Sequence, residues 1–544
     1  MIKNSFTVSD NGSLREPGLK TKDSRLKVNI VMKDRRTYID KLNTLLFGKD
    51  LRITKGEPFI EVYPFDFSSY YPEDEYIKEQ RIPTDNVYDI RDFGAATDKN
   101  NNADCINAAI DAAAKTKGTV LVDGGDYITT TLFLKSDVTL FIAKGSAVCS
   151  NKTGEGYNHL GIIHADSCSN ITLTGGGKVK GNGEYFGRKP LLDSNMTEHP
   201  DVIDVIQMRR DCRAQIRFAH ESKYGGPVYF KDCTNVTAHN FIIENAAHWS
   251  FRLDSCDGVK ISDFIINNNR HVANADGFDI SGSSNVDINH CFVSTADDGI
   301  CIKNAIWLGS KGKMQNITVK NCEVISCANS VKIGTETTYD ITGVRVEDCS
   351  FMMTDIYPGT VSGIAVESAD GSKVTDVTVK NITMDRVTCP IFIRLCNRNR
   401  AAEVTAETAN AVEFGKKREK ARSAEKDTFD MLGEVRDIYI ENVSCKNAEV
   451  PIILAGFKQK GKVKYVENIT LKNINVSYAP YKEVYDRRSF IPEYSDVYPE
   501  SWRFRNLPAY GIWARHVKGL KLLDYSCTPP RSTWKDEIIT EDVI

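Results

Sequence analysis

The sequence predicts an all-β fold, a parallel β-solenoid, from a short repeat, the spacing of its copies and the scarcity of hairpin turns. The repeat reads apolar-x-apolar-x-x-(Cys or apolar), as in Val236–Phe241, Val286–Cys291 and Ile317–Cys322. Its period-two alternation indicates a short strand with one inward face, which one strand alone cannot bury. Stacking one coil every 20 to 35 residues or so, about the spacing of repeat folds, buries a continuous apolar column. Asn-Gly hairpin signals, typical of an antiparallel sandwich, are scarce.

Further copies of the repeat begin at Val259, Val344, Val377, Ile438, Ile469 and Leu520. Four cysteines take the same place in their units: Cys233, Cys291, Cys322 and Cys349. A metal site or disulfide framework is one interpretation, and a column of reduced thiols packed as small apolar residues is the other. No CxxC pair or His-Cys cluster accompanies them, so the sequence favours buried thiols and predicts no metal and no cofactor.

Several units carry an Asn-x-Ser/Thr sequence, at Asn170, Asn235, Asn316, Asn381, Asn442, Asn468 and Asn475. As glycosylation acceptors these residues would indicate a secreted protein. A simpler interpretation, which we favour, is that Asn serves the turn before each strand while Thr suits the strand.

The repeats define a domain layout. Residues 1–84 lack the repeat, contain a predicted short helix over Tyr38–Phe47, and are expected to form an accessory domain or an arm packed on the solenoid. The solenoid domain is predicted over 85–530, with a helix near Asn102–Ala114 capping the open end of its apolar column. Residues 397–434 are a charged, solvated insertion, and 531–544 form a polar C-terminal tail.

Composition limits the partners. The formal net charge of −3 gives no overall bias toward nucleic acid or anionic membranes. No apolar run approaches the roughly 20 residues that span a bilayer. The start, Met1–Phe6, lacks the apolar core of a secretory signal, so the protein is either cytoplasmic or a periplasmic or secreted protein whose signal has been removed. The oligomeric state is left open.

Three carboxylates recur about one repeat apart. Asp276 lies in Asn274–Asp279, and Asp297 and Asp298 open the stretch Asp297–Lys303. If the coils stack, Asp276 lies beside the Asp297–Asp298 pair. Three like charges close together are unfavourable, so such a cluster indicates a function that requires it. Acid–base hydrolysis of a glycosidic bond is such a function, since crowding lets one carboxyl keep the proton that it must donate. Turn chemistry is the alternative, and Asp279 is assigned either to such a turn or to a supporting role beside the three aspartates.

Several segments resemble glycoside hydrolase family 28, the polygalacturonase-like enzymes, within the pectate-lyase-like superfamily. They include Gly181–Glu184, His248-Trp249, Asn274–Asp276 and Asp297–Gly299. The resemblance covers roughly residues 85–530. It implies a right-handed parallel β-helix and an inverting hydrolase acting on plant-wall polysaccharide or oligosaccharide. It also implies that Asp297 is the general acid, that Asp276 and Asp298 position and deprotonate water, and that Asn274 contributes to substrate binding.

Two departures from the family pattern bear on the substrate. Asn329 stands where the family's usual Gly-His-Gly has its His. The usual Arg-Ile-Lys, whose cations hold a galacturonate carboxylate, falls at Ala365-Val366-Glu367. Loss of two cations and gain of an anion would repel a uronate, so a neutral or deoxy sugar, or a branched pectic substrate, fits better. Glu367 is either a substrate ligand or extra acid, or a plain solvated glutamate.

Other candidate binding residues surround these motifs. Arg394 could restore a cation from the next coil, and Lys303 is expected near the acid; a structural ion pair is the alternative for both. His248 and Trp249 form a sugar platform, or Trp249 is buried in the column. The segment from Tyr498 to His516 is interpreted as structural, bordering the cleft.

Two other functions stay open from the sequence. One is a polysaccharide lyase on the same fold, which would need a uronate, a Lys or Arg base and often calcium; the missing cations at 365–367 argue against it. The other is a catalytically inactive glycan-binding β-helix, which retention of all three aspartates argues against.

Overall fold

The structure is a computed structural model that describes residues 72–191, 225–269, 272–353, 360–398, 429–479, 491–494, 498–504, 507–530 and 533–544, and short backbone segments elsewhere. The helix predicted over Tyr38–Phe47 and residues 399–428 of the predicted insertion lie outside the described residues. Among the described residues, no helix is long and apolar enough to cross a membrane.

Within the described chain, 28 strands form one parallel sheet that winds around a common core and has three faces. The strands of the first face, called the site face below, are Leu132–Phe133, Ile163–Asp166, Val228–Lys231, Phe251–Asp254, Phe278–Ser281, Ile300–Asn304, Asn329–Thr337, Thr360–Ser368, Val387–Leu395, Ile452–Ala455 and Asp536–Val543. Ala509–Thr528 begins on the site face and continues around the other two.

The remaining strands build the second and third faces. Those of the second face are Val87–Asp89, Thr119–Val122, Thr139–Ile142, Ser169–Thr174 and Met314–Lys320; those of the third are Asp126–Thr129, Ala147–Ser150, Lys178–Lys180 and Glu323–Ser326. Seven long strands turn from the second face to the third: Thr234–Glu244, Asp257–Asn267, Ser284–Thr295, Ile341–Met352, Lys373–Asp385, Glu434–Ala448 and Val466–Tyr478.

Short pairs and helices decorate this sheet. The antiparallel pairs are Thr7–Val8 with Leu14–Arg15, Lys27–Asn29 with Val202–Asp204, Gly187–Leu191 with Arg217–His220, and Phe457–Gln459 with Lys462–Lys464. The α-helices are Glu73–Tyr76 and Ala103–Ala114, and the 3-10 helices are Ile90–Phe93, Gly183–Tyr185, Ile306–Leu308, Phe429–Met431 and Ser501–Phe504.

Residues with left-handed backbone explain the repeat. The residue before each repeat start, such as Asn316 (φ 58°), and the residue before the Cys position, such as Asn321 (φ 52°), both have positive φ. Asn tolerates this conformation because its side chain bonds locally. Six of the seven Asn-x-Ser/Thr asparagines have positive φ, all except Asn475, in agreement with the turn interpretation.

The core is the apolar column that the repeat predicts. Inward side chains of successive site-face strands stack in it, among them Ile280, Ile302, Ile333, Val366 and Ile393. The cysteines predicted as a column of thiols (Cys233, Cys291, Cys322 and Cys349) are buried in the same core, and the described cysteines form no disulfide. Burial of apolar surface is therefore what holds the coils together.

A helix closes the N-terminal end of the column, as predicted. Ala103–Ala114 buries Ile106, Ala109 and Ile110 against the first coil. Buried Asn102 precedes the helix, and its amide donates to the carbonyl of Ile128 at 3.1 Å. The helix thus covers core that the first coil would expose.

Residues 72–82 run along the outside of the third face. Tyr76 stacks on His290 with ring centroids 4.6 Å apart, and Ile77 packs beside Ile242. The Asn240 side chain accepts the N–H of Lys78 at 2.8 Å.

The C-terminal part covers one end of the site face. Ile491, Phe504 and Leu507 pack on outward residues of that face, including Phe392 and Trp513. Asp536–Val543, in the segment predicted as a polar tail, is a strand paired in parallel with Ala509–Thr528. The solenoid therefore extends beyond its predicted end at 530, because backbone pairing here does not require a fully apolar strand.

Candidate active site

Outward side chains of neighbouring site-face strands form one row. The strands are in register, so that Asp279 neighbours Cys301, Cys301 neighbours Lys332, and Lys332 neighbours Ala365. Neighbouring strands lie about 4.8 Å apart, so charged groups in such a row interact directly. The strand alternation that buries the core therefore also gathers the polar groups.

The three predicted aspartates meet just before two of these strands. One carboxylate oxygen from each of Asp276, Asp297 and Asp298 lies within 4.8 Å of the others. A backbone hydrogen bond joins the two turns that carry these aspartates: the N–H of Gly277 donates to the carbonyl of Asp298 at 2.9 Å. Stacking thus brings together carboxylates that are about 20 residues apart in the chain, as expected for neighbouring coils.

Asp276 is buried and lies among like charges. Burial raises the pKa of Asp276 well above its ordinary value, and the carboxylates of Asp279 and Asp297 raise it further. Its Oδ1 has no hydrogen-bond partner among the residues that the structure describes. Its Oδ2 lies 3.9 Å from the ammonium of Lys303.

Asp298 has the opposite ionisation tendency. Burial works to raise its pKa, but the charges of Lys332 and Lys303 and hydrogen bonds from Asn329 outweigh burial and hold the pKa below the ordinary value. The N–H and the amide of Asn329 both donate to Asp298 Oδ1, at 3.0 and 2.8 Å. Lys332 Nζ lies 3.4 Å from Oδ2. Asp298 is therefore held as a carboxylate.

Asp297 is the most accessible of the three, since it is half-buried while Asp276 and Asp298 are buried. Hydroxyls of Thr295 and Ser326 each donate to its backbone carbonyl at 2.8 Å. Its Oδ1 accepts the N–H of Asp298 at 3.1 Å. The backbone of Asp297 is therefore fixed, and its side chain is the least buried of the three.

Lys303 lies under the cluster, beside Asp276 and Asp279. Its ammonium donates to Asp279 Oδ1 at 2.5 Å. Burial raises the pKa of Asp279 to about 7 even though Lys303 opposes the shift. Asp279, assigned from the sequence to a turn or to a supporting role, is thus a fully buried acid beside the three aspartates.

The aromatic pair lies over Lys303. The Trp249 ring covers the ammonium at 3.8 Å from its centroid, and the ring centroids of His248 and Trp249 are 5.3 Å apart. Trp249 is half-buried on the outside, so the alternative of burial in the column is wrong. Asn274 is exposed, with φ 56°, two residues before Asp276. Sugar binding by these residues stays a prediction.

Asn329 lies directly beside Asp298, at the place predicted from the register. Beyond it, Glu500 receives hydrogen bonds from Lys332 Nζ at 2.9 Å and from the Asn329 amide at 3.4 Å. Lys332 donates its second hydrogen bond to the Tyr498 hydroxyl, at 3.1 Å. The coil after the aspartate pair therefore carries an amide and an ammonium against Asp298.

Glu367 and Arg394 differ from their predicted environments. Glu367 is 0% exposed, so the alternative of a plain solvated glutamate is wrong. Burial raises its pKa to about 8, and the Thr335 hydroxyl donates to its Oε2 at 2.6 Å. Arg394 is buried, and its guanidinium donates to the carbonyls of Gly456 and Glu493. It is engaged with backbone rather than presented as a cation to a ligand.

Sequence reasoning missed Lys332 and Arg252, and it placed Tyr498 and Glu500 in a segment bordering the cleft without giving either residue a role. Lys332 and Arg252 share the outward row with Asp279, so the register of the repeats would have found them. Arg252 binds the Asp254 carboxylate at 2.5 Å and lies 5.0 Å from the Trp249 ring. Nothing in the repeat points to Tyr498 or Glu500, which come from outside it.

The three aspartates are also the group of described residues whose oxygens are close enough for a metal ion. Two ammonium groups already lie within 3.9 Å of this cluster, Lys303 beside Asp276 and Lys332 beside Asp298. Their charges balance much of the negative charge that would attract a cation. We therefore derive the chemistry from proton transfer between carboxyl groups.

The fold and site together define a class of protein, a parallel β-helix with a cluster of acid–base carboxylates of the kind that glycosidases use. Residues 115–416, more than half of the chain, match the model of glycosyl hydrolases family 28. The chain belongs to this family of O-glycosyl hydrolases.

Relatives and solved structures agree with this assignment. A polygalacturonase of Persea americana is 24% identical over 314 residues, which cover 56% of this chain and 60% of that protein. Polygalacturonase QRT2 of Arabidopsis thaliana is 23% identical over 340 residues, covering 60% of this chain and 69% of that protein. This chain thus aligns with only part of each relative.

Two exopolygalacturonase structures share the right-handed parallel β-helix. The enzyme of Thermotoga maritima has a TM-score of 0.53 at 19% identity, covering 75% of this chain and 91% of its own. The family 28 enzyme of Yersinia enterocolitica has a TM-score of 0.57 at 17% identity, covering 86% of this chain and 78% of its own. At these identities the likeness establishes the fold.

Proposed function

We propose that this enzyme hydrolyses a glycosidic bond in a pectic polysaccharide or its oligosaccharides, using Asp276, Asp297 and Asp298. The observation that carries the proposal is the unequal environment of three clustered carboxyl groups. Asp298 is held ionised, whereas Asp276 has a raised pKa and Asp297 is the most accessible. Such a separation of ionisation states is what acid–base catalysis needs.

The proposed step gives one proton to the leaving group and takes one proton from water. Asp297 gives its proton to the leaving glycosidic oxygen as the bond to the anomeric carbon breaks. Asp276 and Asp298 hold a water molecule between them, and Asp298, which is held ionised, takes its proton as the water oxygen attacks that carbon. Three carboxyl groups this close do not all ionise together, so the cluster keeps a proton for transfer to the leaving oxygen.

We further propose that the reaction inverts the anomeric configuration. Support comes from the third carboxylate, since a pair of acceptors suits holding a water better than attacking the sugar directly. The distance disagrees with the general rule: the nearest oxygens lie within 4.8 Å, whereas inverting carboxyl groups are usually about 6.5–9.5 Å apart. We give the extra acceptor more weight because the rule describes sites with one acid and one base.

The preferred sugar at Ala365 and Glu367 is proposed to be neutral, deoxy or branched. A buried carboxyl with a pKa of about 8 is uncharged at neutral pH, so the predicted repulsion by Glu367 is not part of the support. The support is that the described cations near these positions are already engaged. Lys332 is engaged by Asp298, Glu500 and Tyr498, and Arg394 by backbone carbonyls. No cation at these positions is available for a uronate carboxylate.

A product screen tests the proposal. Wild type and Asp297→Asn are incubated with polygalacturonan, branched pectins and neutral plant polysaccharides, and products are read by mass and by ultraviolet absorbance. We expect saturated sugars from wild type, most from branched or neutral substrates, and a loss of about 10²–10⁴-fold in Asp297→Asn. Unsaturated, absorbing products would establish a lyase, and no product on any substrate would favour a glycan-binding protein.

The configuration of the first product is read separately by proton NMR during the earliest turnover. An inverted anomeric signal supports the water-attack mechanism. A retained signal would overturn it and assign one of the aspartates as a nucleophile.

A further inference from the structure

The C-terminal segment brings an acid to the site from far along the chain. Glu500 is 168 residues from Lys332 and 171 from Asn329, yet it bonds to both. It is only 7% exposed, and Ser501, which follows it, donates from its hydroxyl to the carbonyl of Val361 at 3.1 Å. The segment is thus anchored on the site face and holds Glu500 in a defined place.

Glu500 and Asp298 are linked by two bridges. The Asn329 amide donates to Asp298 Oδ1 at 2.8 Å and to Glu500 at 3.4 Å. The Lys332 ammonium lies 3.4 Å from Asp298 Oδ2 and 2.9 Å from Glu500 Oε1. The Asn329 amide and the Lys332 ammonium therefore each contact both carboxylates. Removing Glu500 alters these two contacts to Asp298.

We propose that Glu500 is a positioning residue, which orients Asn329 and Lys332 against Asp298 and whose charge keeps Asp298 basic enough to accept a proton from water. The inference rests on the proposed function of Asp298. Lys332 alone would make Asp298 a weak base, because an adjacent cation lowers the pKa of a carboxyl. Glu500, the second carboxylate paired with Lys332, offsets this lowering of the Asp298 pKa.

The titratable and charged groups around this pair come from every neighbouring element. Those facing Asp298 and Glu500 are Asp276, Asp279, Asp297, Cys301, Lys303, Lys332, Glu367 and Tyr498. Glu500 differs from the other acids of this set in two ways. It bonds to both Asn329 and Lys332, which themselves contact Asp298, and it comes from outside the repeats.

The test is the pH profile of kcat/KM in Glu500→Gln, which keeps the shape and removes the charge. The acidic limb reports ionisation of the carboxylate that must accept a proton. Loss of a neighbouring negative charge should move this limb to lower pH by about one unit. The weaker base should lower kcat by about tenfold. A limb at the wild-type pH overturns the proposal, whatever the rate.

Glu493→Gln is the matched control. It makes the same chemical change in the same C-terminal region, but Glu493 bonds to Arg515 and His516 rather than to Asp298. It should leave the acidic limb in place, and a limb that moves equally would overturn the assignment. Thermal unfolding of each variant shows whether it is folded.

Glu500→Asp decides the matter if Glu500→Gln does not fold. It keeps the charge but withdraws it by one methylene, so the limb should stay within about 0.3 unit while kcat falls about tenfold. A wild-type kcat would overturn the positioning role. A wild type that releases no product from any glycan would instead refute the proposed function, so the two failures are distinct.

Discussion

At the scale of single residues, identical side chains acquire different properties from their neighbours. Asp279 and Asp298 are both buried, yet burial raises the pKa of Asp279 to about 7, whereas the two lysines and Asn329 hold that of Asp298 low. What differs is the number of cations and donors: Asp298 has the charges of Lys332 and Lys303 and two hydrogen bonds from Asn329, whereas Asp279 receives one hydrogen bond, from Lys303. The site works by placing donors rather than by choosing unusual residues.

Replacing Lys303 with Met should destabilise the fold more at pH 8 than at pH 5. The folded-state pKa of Asp279, about 7, is above its unfolded value, so its contribution to stability is lost as pH rises through 7. Without Lys303 the ionised form loses the cation that bonds to it, and removing one partner of a buried pair costs about 3–5 kcal/mol. Urea denaturation at both pH values measures the deficit, and an equal deficit at both would contradict the prediction.

Replacing Glu367 with Gln should stabilise the protein relative to wild type as the solution becomes alkaline. The pKa of Glu367 is raised to about 8 from 4.5, so wild type loses stability between these pH values. At about 1.4 kcal/mol per pKa unit, the loss amounts to at most about 5 kcal/mol. Gln has no such titration and can still accept the Thr335 hydroxyl. Melting temperatures of both proteins from pH 5 to 9 test this; a constant difference would refute it.

At the scale of the coil, stacked asparagines in left-handed turns fix the register. The Asn442 amide donates to Asn381 at 2.9 Å, and the Asn473 amide donates to Asn442 at 2.8 Å. A second ladder runs from Asn316 to Asn285 and on to Asp257. Because a one-residue slip would exchange inward and outward side chains, these ladders also determine which residues reach the site.

Replacing Asn442 with Ala should lower the free energy of unfolding by about 2–4 kcal/mol. The change removes two ladder hydrogen bonds, worth about 1 kcal/mol each, and leaves at φ 57° a residue without the polar side chain that makes this conformation tolerable, which costs up to about 1–2 kcal/mol. Asn442→Gly is the control, since it loses the bonds without the strain and should cost less. Equal losses in denaturant titrations would show that the left-handed conformation is not what selects Asn.

At the scale of the whole molecule, the C-terminal end supports the site. Glu541 in the last strand bonds to Arg515 at 2.7 Å and to the Trp513 indole at 3.1 Å. Arg515 in turn donates to the carbonyl of Ile491 at 2.8 Å, nine residues before Glu500 in the sequence. The end of the solenoid and the acid–base cluster are therefore linked through contacts on one face.

Removing residues 531–544 should reduce both stability and activity. The deletion exposes the edge of Ala509–Thr528, and open edges of this kind promote association between molecules. It also frees Arg515 from Glu541, which loosens the support under Glu500. We expect a lower melting temperature, self-association in light scattering, and a lower kcat in the monomer fraction. A shortened enzyme with full kcat would show that the end is not coupled to the site.

The sequence predicts the solenoid, its helical cap and the meeting of the three aspartates, because all of these depend on local periodicity. The place of Asn329 follows from the same periodicity. Burial of Glu367 does not, since it depends on the C-terminal part covering the outside of the site face. Glu500 is the extreme case: its contact with Lys332 joins residues 168 apart, and no repeat relates them.

The inward and outward residues of each site-face strand are under different structural constraints. Inward, Ile280, Ile302 and Ile333 keep one apolar type from coil to coil; outward, Asp279, Cys301 and Lys332 share no property at all. Outward positions without a buried ion pair or an apolar contact are thus free to vary without disturbing the scaffold. A combinatorial library confined to these alternate positions would explore new sugar preferences while most of its members still fold, which makes this architecture a natural starting point for directed evolution.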